Sequence, residues 1–290
     1  IAENCVIDEF GRIGSRKGFK IKTSDVSSLG GNPIEVIKEF INSTGSNVLI
    51  SAGNNKIFSG TTSLTDVSPG SYTISANNWK MVNLNDHLFM FQSGHEPLVF
   101  AGSAVEKMSA HAGSSGTPPF ANEVLSAYGR LFAANTTSNK TTVYWSDLLD
   151  GTAWTGGSSG SLDVTKVWPS GSDEIIALAA HNGFLIIFGK HSIVVYAGAT
   201  DPANMTLSDT VANIGCIERD SVQHTGTDLI FLSATGVRSF GRTIQEKSLP
   251  LTDVSKNVRN KLMDIHAEQS TPVRSVFSPE EAFYLLSLPD

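Results

Sequence analysis

ERDSVQHTGTDLIFLSATGVRSFGR, residues 218–242, holds three short apolar runs separated by turns. Residues 221–224 lead into the turn Thr225-Gly226-Thr227-Asp228, residues 229–232 into Ala234-Thr235-Gly236, and residues 237–240 run back. Runs of four residues are too short for helices and long enough for strands. Gly226 and Gly236 supply the positive φ that tight hairpin turns demand. The stretch reads as a three-stranded antiparallel meander.

The unit recurs along the chain. Its middle strand returns as NVLI (47–50), HLFM (87–90), RLFA (130–133), FLII (184–187) and AFYL (282–285), each behind a polar or Gly-bearing turn. Before those turns lie further apolar runs at 36–41, 81–84, 124–127, 175–179 and 273–277. The third strand returns as Ile57-Phe58, Val99-Phe100, Val143-Tyr144 and Val195-Tyr196. The aligned residues Val48, Leu88, Leu131, Leu185, Leu229 and Phe283 are 40, 43, 54, 44 and 54 positions apart. Several strands in a repeat of that length mark a β-propeller, in which each sheet hides its apolar faces against its neighbours. Evenly spaced short strands also suit a β-sandwich, and several strands in each repeat of about 40 to 50 residues favour the propeller. The expected fold is therefore all-β, a propeller of about six blades with long inter-strand loops and one peripheral helix.

With 290 residues, 40% of them hydrophobic and only 17% charged, the chain suits one large turn-rich β domain. Its apolar runs are too short to span a membrane as helices, and its start shows no charged-then-apolar leader. It begins at Ile1, and the last repeat has no third strand, so the sequence reads as a piece of a longer polypeptide. Residues 1–30 differ from the repeats and read as an N-terminal hairpin or arm, with residues 31–290 as an incomplete propeller. Arg12, Arg16, Lys17 and Lys20 crowd this arm; it is a solvated cationic face or a contact for an acidic partner. Asn32-Pro33 is a fair helix start, but its place in the repeat makes 36–41 a strand. Residues 103–121 and 147–172 read as long loops, and 251–268 as a helix capped by Thr252 or Asp253, with Val254, Val258, Leu262 and Ile265 on one face.

The net charge of −7 disfavours a sequence-reading nucleic-acid binder, which needs a basic face. Cys5 and Cys216 form no disulfide framework. They read as two small apolar side chains, with a single bridge as the alternative because a propeller brings its first and last blades together. Gly156-Gly157-Ser158-Ser159-Gly160 matches G-x-S-x-G, yet lacks the strand before and helix after that expose a nucleophile. Within 146–154, Asp150 reads as a turn acceptor and Trp154 as a packing anchor. This segment resembles a relaxed form of the Asp-box of sialidase-type propellers, but Asp150 and Gly151 are adjacent where that box spaces them. A sialidase needs arginines converging on a carboxylate, whereas Arg130 reads as a turn residue and Arg219, Arg238 and Arg274 share no register. The seven histidines (87, 95, 111, 181, 191, 224 and 266) lack metal-ligand spacing. The sequence accordingly implies no catalytic, cofactor-binding or metal site, and no enzyme.

Three stretches carry a family resemblance. Residues 4–19, with Asn4, Asp8, Gly11-Arg12, Arg16 and Gly18, resemble the N-x-x-x-D-x-x-G-R-x-x-x-R-x-G opening of the tail nozzle (tail tubular protein B) of short-tailed bacteriophages. Val143-Tyr144-Trp145-Ser146-Asp147 with Trp154 is similar to that family's blade-and-loop phrase. Ile214-Gly215-Cys216, Phe231-Leu232-Ser233 and Gly236-Val237-Arg238-Ser239-Phe240 are similar to the phrase before its helix. The resemblance implies a structural virion protein: a homo-oligomer, a hexamer in that family, forming the distal DNA-ejection channel of the tail. It implies assembly in the bacterial cytoplasm, contact with a tail adaptor ring and with tail fibres, and genomic DNA passing through the lumen without specific binding. A glycan-binding or sialidase-like propeller is the alternative, with Trp145, Trp154 and Trp168 as its test.

Overall fold

The computed structural model describes residues 5–7, 12–15, 18, 20, 29–70, 72, 74, 78–246, 254–268, 272–280 and 283–288. The described chain is nearly all β. A two-stranded hairpin of β1 (Cys5–Ile7) and β2 (Ile13–Ser15) precedes six antiparallel sheets met in chain order.

The first sheet holds β3 (Ile34–Ile41), β4 (Asn47–Gly53), β5 (Lys56–Ser59) and β6 (Thr65–Asp66). The second holds β7 (Lys80–Leu84), β8 (His87–Phe91), β9 (Leu98–Phe100) and β10 (Val105–Lys107). The third holds β11 (Ala121–Ala127), β12 (Arg130–Thr136), β13 (Thr142–Trp145) and β14 (Gly160–Asp163). The fourth holds β15 (Ile175–His181), β16 (Phe184–Gly189), β17 (Ser192–Ala197) and β18 (Thr206–Ala212). The fifth has three strands, β19 (Gln223–His224), β20 (Leu229–Ser233) and β21 (Gly236–Ser239), and is followed by α1 (Phe240–Glu246) and α2 (Arg259–Glu268). The sixth is the pair β22 (Arg274–Ser278) and β23 (Phe283–Ser287).

Local chemistry sets the hairpins. Asn54-Asn55, Asn85-Asp86, Tyr128-Gly129 and Asn182-Gly183 each place two consecutive residues at positive φ. That is the turn whose twist matches the flanking strands. Asn, Asp and Gly tolerate it best. Gly226 and Gly236 also take positive φ, at 89° and 122°, as the meander requires.

The inner strands then offer apolar side chains to both sides, and the sheets stack on them. Phe40, Ile50, Ile57, Leu88 and Phe100 fill the space between the first and second sheets. Phe89, Met108, Val124 and Leu131 fill the next. Phe132, Trp145, Leu178 and Ile187 lie between the third and fourth, and Phe188, Val195, Leu229 and Phe231 between the fourth and fifth. Leu232, Val237 and Leu262 cover the inner side of the last hairpin. Each fully buried large side chain contributes about 1.5–3 kcal/mol. The first strands of successive sheets lie beside one another: β3 against β7, β7 against β11 and β11 against β15. The turn Arg219–Ser221 touches both β15 and β22.

Three expectations are corrected. The reading of 103–121 and 147–172 as loops missed β10 and β14, which are fourth strands. Such outer strands are partly exposed and carry no apolar alternation; β14 reads GSLD. The single helix at 251–268 becomes α2 from Arg259 onward. Val254 and Val258 are 60% and 59% exposed, and only Leu262 of that face is buried. Thr252 and Asp253, the expected caps, lie outside the described residues, as do Arg16 and Lys17. The third correction is that α1 begins at Phe240, where the sequence suggested a continuing strand. Phe240 packs on Phe188 with ring centroids 6.1 Å apart.

Candidate functional site

The densest polar chemistry lies where the first strands meet. Arg219 and Asp220 occupy the 3-10 turn Arg219–Ser221 ahead of β19. The Arg219 guanidinium donates to the carbonyls of Asn78 (3.0 Å), Trp79 (2.9 Å) and Asn122. Its Nε and Nη2 also donate to the two oxygens of Asp220, at 3.0 and 2.7 Å. One side chain thus ties the second, third and fifth sheets together.

Asp220 takes two more cations, Lys80 Nζ at 3.2 Å and Arg274 Nη1. Glu123, only 1% exposed, lies 3.3 Å from Lys80 Nζ. Its other oxygen accepts from the Leu178 N–H at 3.2 Å. Burial pulls the Lys80 ammonium below its ordinary range, against the upward pull of Glu123. Three cations therefore share two carboxylates drawn from four sheets, and the Leu178 N–H adds the fourth sheet. A cavity of about 650 Å³ opens on one side, lined by Trp79, Lys80, Gln223, Arg274 and Val276. Another of about 420 Å³ opens past Asn78, Asn122, Glu218 and Pro272. Chemically the cluster is a clamp: both carboxylates are fixed by cations, and its strongest donors are bonded to backbone.

The expectation that Arg219, Arg238 and Arg274 share no register is corrected in part, and Arg130, read as a turn residue, is the first residue of β12. Arg219 and Arg274 meet at Asp220. Arg238 instead bonds Thr235 Oγ1 at 3.0 Å through Nε. Arg130 donates to the carbonyls of Ser146 (2.9 Å) and Ser158 (3.3 Å). The signal that would have found Lys80 and Glu123 is a lone charge in an apolar strand, as in KMVNL and ANEVLSA.

Ser158 donates its Oγ–H to Asp147 Oδ1 at 2.7 Å and accepts from Arg130 Nη2 at 2.7 Å. Gly157 has φ 57°, and a Cβ there would fall 2.0 Å from Asp147 Oδ2. The G-x-S-x-G segment is a tight turn stapled by Asp147. Its hydrogen bonds from Ser158 and Leu148 hold the Asp147 carboxyl below the usual range. A group depressed in the fold stabilises above its unfolded pKa of about 3.9 and loses that contribution as pH falls through the lower folded value. We therefore expect acid to loosen this turn in that window. Limited proteolysis at 155–160 is expected to speed up there, and Asp147→Asn to show the fast cleavage already at neutral pH.

Asp150 Oδ1 accepts from the Thr152 N–H (2.8 Å) and Oγ (2.7 Å), as the turn reading expects. Trp154 packs at the edge of an apolar cluster, its indole N–H 3.2 Å from Met108 Sδ. Trp145 and Trp168 are buried in the core, so the three tryptophans form no shared platform. A groove of about 310 Å³ does bring Trp154 together with Tyr144, Phe120 and Pro119, beside Thr137 and Ser138.

Histidines read as scattered turn or surface residues include two pairs, His87 with His111 (5.0 Å between ring centres) and His181 with His224 (6.0 Å). Burial, with the His181 ring beside it, lowers the His224 pKa. Among the described residues no group of three His, Cys, Asp or Glu side chains is placed to hold a metal. Among them too, no helix is long and apolar enough to cross a membrane. Cys216 is a buried free thiol whose pKa burial pushes up to about 12. In a Cys5→Ser background we expect no labelling of Cys216 by a disulfide reagent at mildly alkaline pH until denaturant is added; prompt native labelling would contradict its burial.

No protein-family model matches this chain, and no curated protein does. Solved structures do. The extracellular domain of the putative one component system BT4673 from B. thetaiotaomicron is 12% identical, with a TM-score of 0.44, over 92% of this chain and 38% of that one. The AfRom2 CNH domain is 11% identical, with a TM-score of 0.38, over 79% of this chain and 66% of that one. Kluyveromyces lactis Hsv2 is 11% identical, with a TM-score of 0.40, over 90% and 98%. This chain thus spans well under half the length of the BT4673 domain.

Proposed function

We propose that this chain is a structural virion protein, the β-propeller part of a tail nozzle that forms the distal DNA-ejection channel of a short-tailed bacteriophage. The observation that carries the reading is the ordered set of sequence phrases, led by Asn4, Asp8, Gly11-Arg12, Arg16 and Gly18. In this reading the six sheets are blades about one axis, residues 1–30 are an arm, and residues 31–290 belong to the propeller. Copies stand as pillars around a lumen, six in all, joined to an adaptor ring and touching fibres.

The physics supports the role. A wall past which DNA slides should repel phosphate weakly, since each phosphate contact adds salt-sensitive binding, and the net charge of −7 suits that. A pillar under load needs stiff sheets, and the Arg219 clamp cross-ties three of them. DNA runs between copies in this reading, because Arg219, Asp220 and Arg274 occupy the chain's own axis. The cations of that axis are spent on backbone carbonyls and carboxylates, which favours a structural over a hydrolytic role.

Antibody raised against this chain, applied to phage particles that encode it, is expected to place gold at the free end of the tail. Label on heads or lateral fibres, or no label on virions, would overturn the assignment. The groove at Phe120, Tyr144 and Trp154 favours a second reading, a glycan-binding propeller, since aromatic faces beside hydroxyls suit sugar rings. Glycan-array binding lost in Trp154→Ala would favour it.

A further inference from the structure

His87 opens β8 behind the positive-φ turn Asn85-Asp86, and its ring stacks on Phe89 with centroids 5.9 Å apart. His111 follows the 3-10 turn Met108–Ala110, into which β10 leads. Phe89 and Met108 both belong to the apolar cluster between the second and third sheets, so that packing positions both histidines. Both are partly exposed. Their rings meet with centroids 5.0 Å apart and planes at 89°.

Each ring is held from behind. His87 Nδ1 lies 2.7 Å from the carbonyl oxygen of Asn85. His111 Nδ1 lies 2.5 Å from Oε1 of Glu106, in β10. A carbonyl and a carboxylate only accept, so each Nδ1 carries the proton and donates it. In the neutral imidazole that leaves a lone pair on each Nε2. Among the described residues nothing is hydrogen-bonded to either Nε2. Metal-binding histidines share this arrangement: the other nitrogen donates to a carboxylate or backbone carbonyl that fixes tautomer and ring orientation. The spacing agrees. With metal–nitrogen bonds of about 2.0–2.1 Å and tetrahedral angles, two imidazoles on one ion have ring centres about 5 Å apart. Rotation about each metal–nitrogen bond leaves the angle between the planes free.

The other histidine pair differs on both counts. The His181 and His224 centroids are 6.0 Å apart, and Asn182 Nδ2 donates to His181 Nε2 at 3.0 Å.

We propose that His87 and His111 form a two-imidazole site for a divalent transition metal, with both Nε2 atoms as ligands, Glu106 as a positioning residue and water completing the shell. Imidazole suits zinc, copper and nickel, and zinc is the ion to test. Bound metal ties the start of β8 to the connection between the second and third sheets. The site goes beyond the tail assignment and does not depend on it.

The test is calorimetric titration of zinc chloride alone into the untagged chain at neutral pH, with circular dichroism as a check that each variant folds. One zinc ion per chain is expected. His87→Ala and His111→Ala are each expected to lose it, and His181→Ala to keep it. Glu106→Gln, which retains both ligands, is expected to bind about 10–100-fold more weakly. A second measurement needs no variant. Zinc is expected to protect His87 and His111 of the unaltered chain from diethyl pyrocarbonate, read by peptide mass, while the exposed His191 is still modified. No zinc uptake by the unaltered chain, uptake unchanged in either His87→Ala or His111→Ala, or protection that falls on other histidines would each overturn the site. Unchanged affinity in Glu106→Gln would overturn the role given to Glu106.

Discussion

Arg219→Met is expected to lower the unfolding free energy by about 3–5 kcal/mol, the usual loss when one partner of a buried ion pair is removed. The size follows from what is left behind. Asp220 loses its bidentate partner, and the carbonyls of Asn78, Trp79 and Asn122 lose a charged donor in a buried setting. Because those carbonyls belong to the second and third sheets while Arg219 sits before the fifth, the loss is felt across the molecule. Urea unfolding followed by fluorescence measures it. Arg242→Met, at an exposed position on α1, is the control and is expected to change stability by no more than about 0.5 kcal/mol. A shift at Arg219 as small as the control's would mean that the clamp does not hold the sheets.

Phe188→Ala comes next, at about 3–5 kcal/mol. Phe188 is fully buried between the fourth and fifth sheets. Its ring centroid lies 5.0 Å from that of Phe231 and 6.1 Å from that of Phe240. Truncation removes the transfer energy of the ring and leaves a cavity bounded by two sheets and α1, which cannot collapse without moving a helix. Calorimetry is expected to show a lower melting temperature, with α1 the first element to gain amide exchange. Uniform exchange with little loss of stability would contradict this packing.

The contrast between these residues shows what the sequence could disclose. Phe188 lies in an apolar run repeated along the chain, and that repetition reports core and hairpin directly. The turns were as legible, since Asn85-Asp86, Tyr128-Gly129 and Asn182-Gly183 are residues that the backbone geometry selects. The outer strands β6, β10, β14 and β18 were hidden, because strands exposed along one side need no alternating apolar pattern. The clamp was hidden for another reason. Lys80, Glu123, Arg219 and Arg274 are spread over nearly two hundred positions, and only the stacking of sheets brings them into one cluster with Asp220. Arg219 and Arg274 were noticed one by one, without sign that they converge. The helix at 251–268 was over-read because Val254 and Val258 have helical spacing but remain exposed.

The central claim is that copies of this chain form a stiff, acidic wall around an open lumen. Electron microscopy of the purified full-length product tests it most directly. The expected result is a six-fold ring in top view, its central hole wide enough for duplex DNA and its pillars built of fanned sheets. Single particles without rotational symmetry, or a disc with no hole, would contradict it.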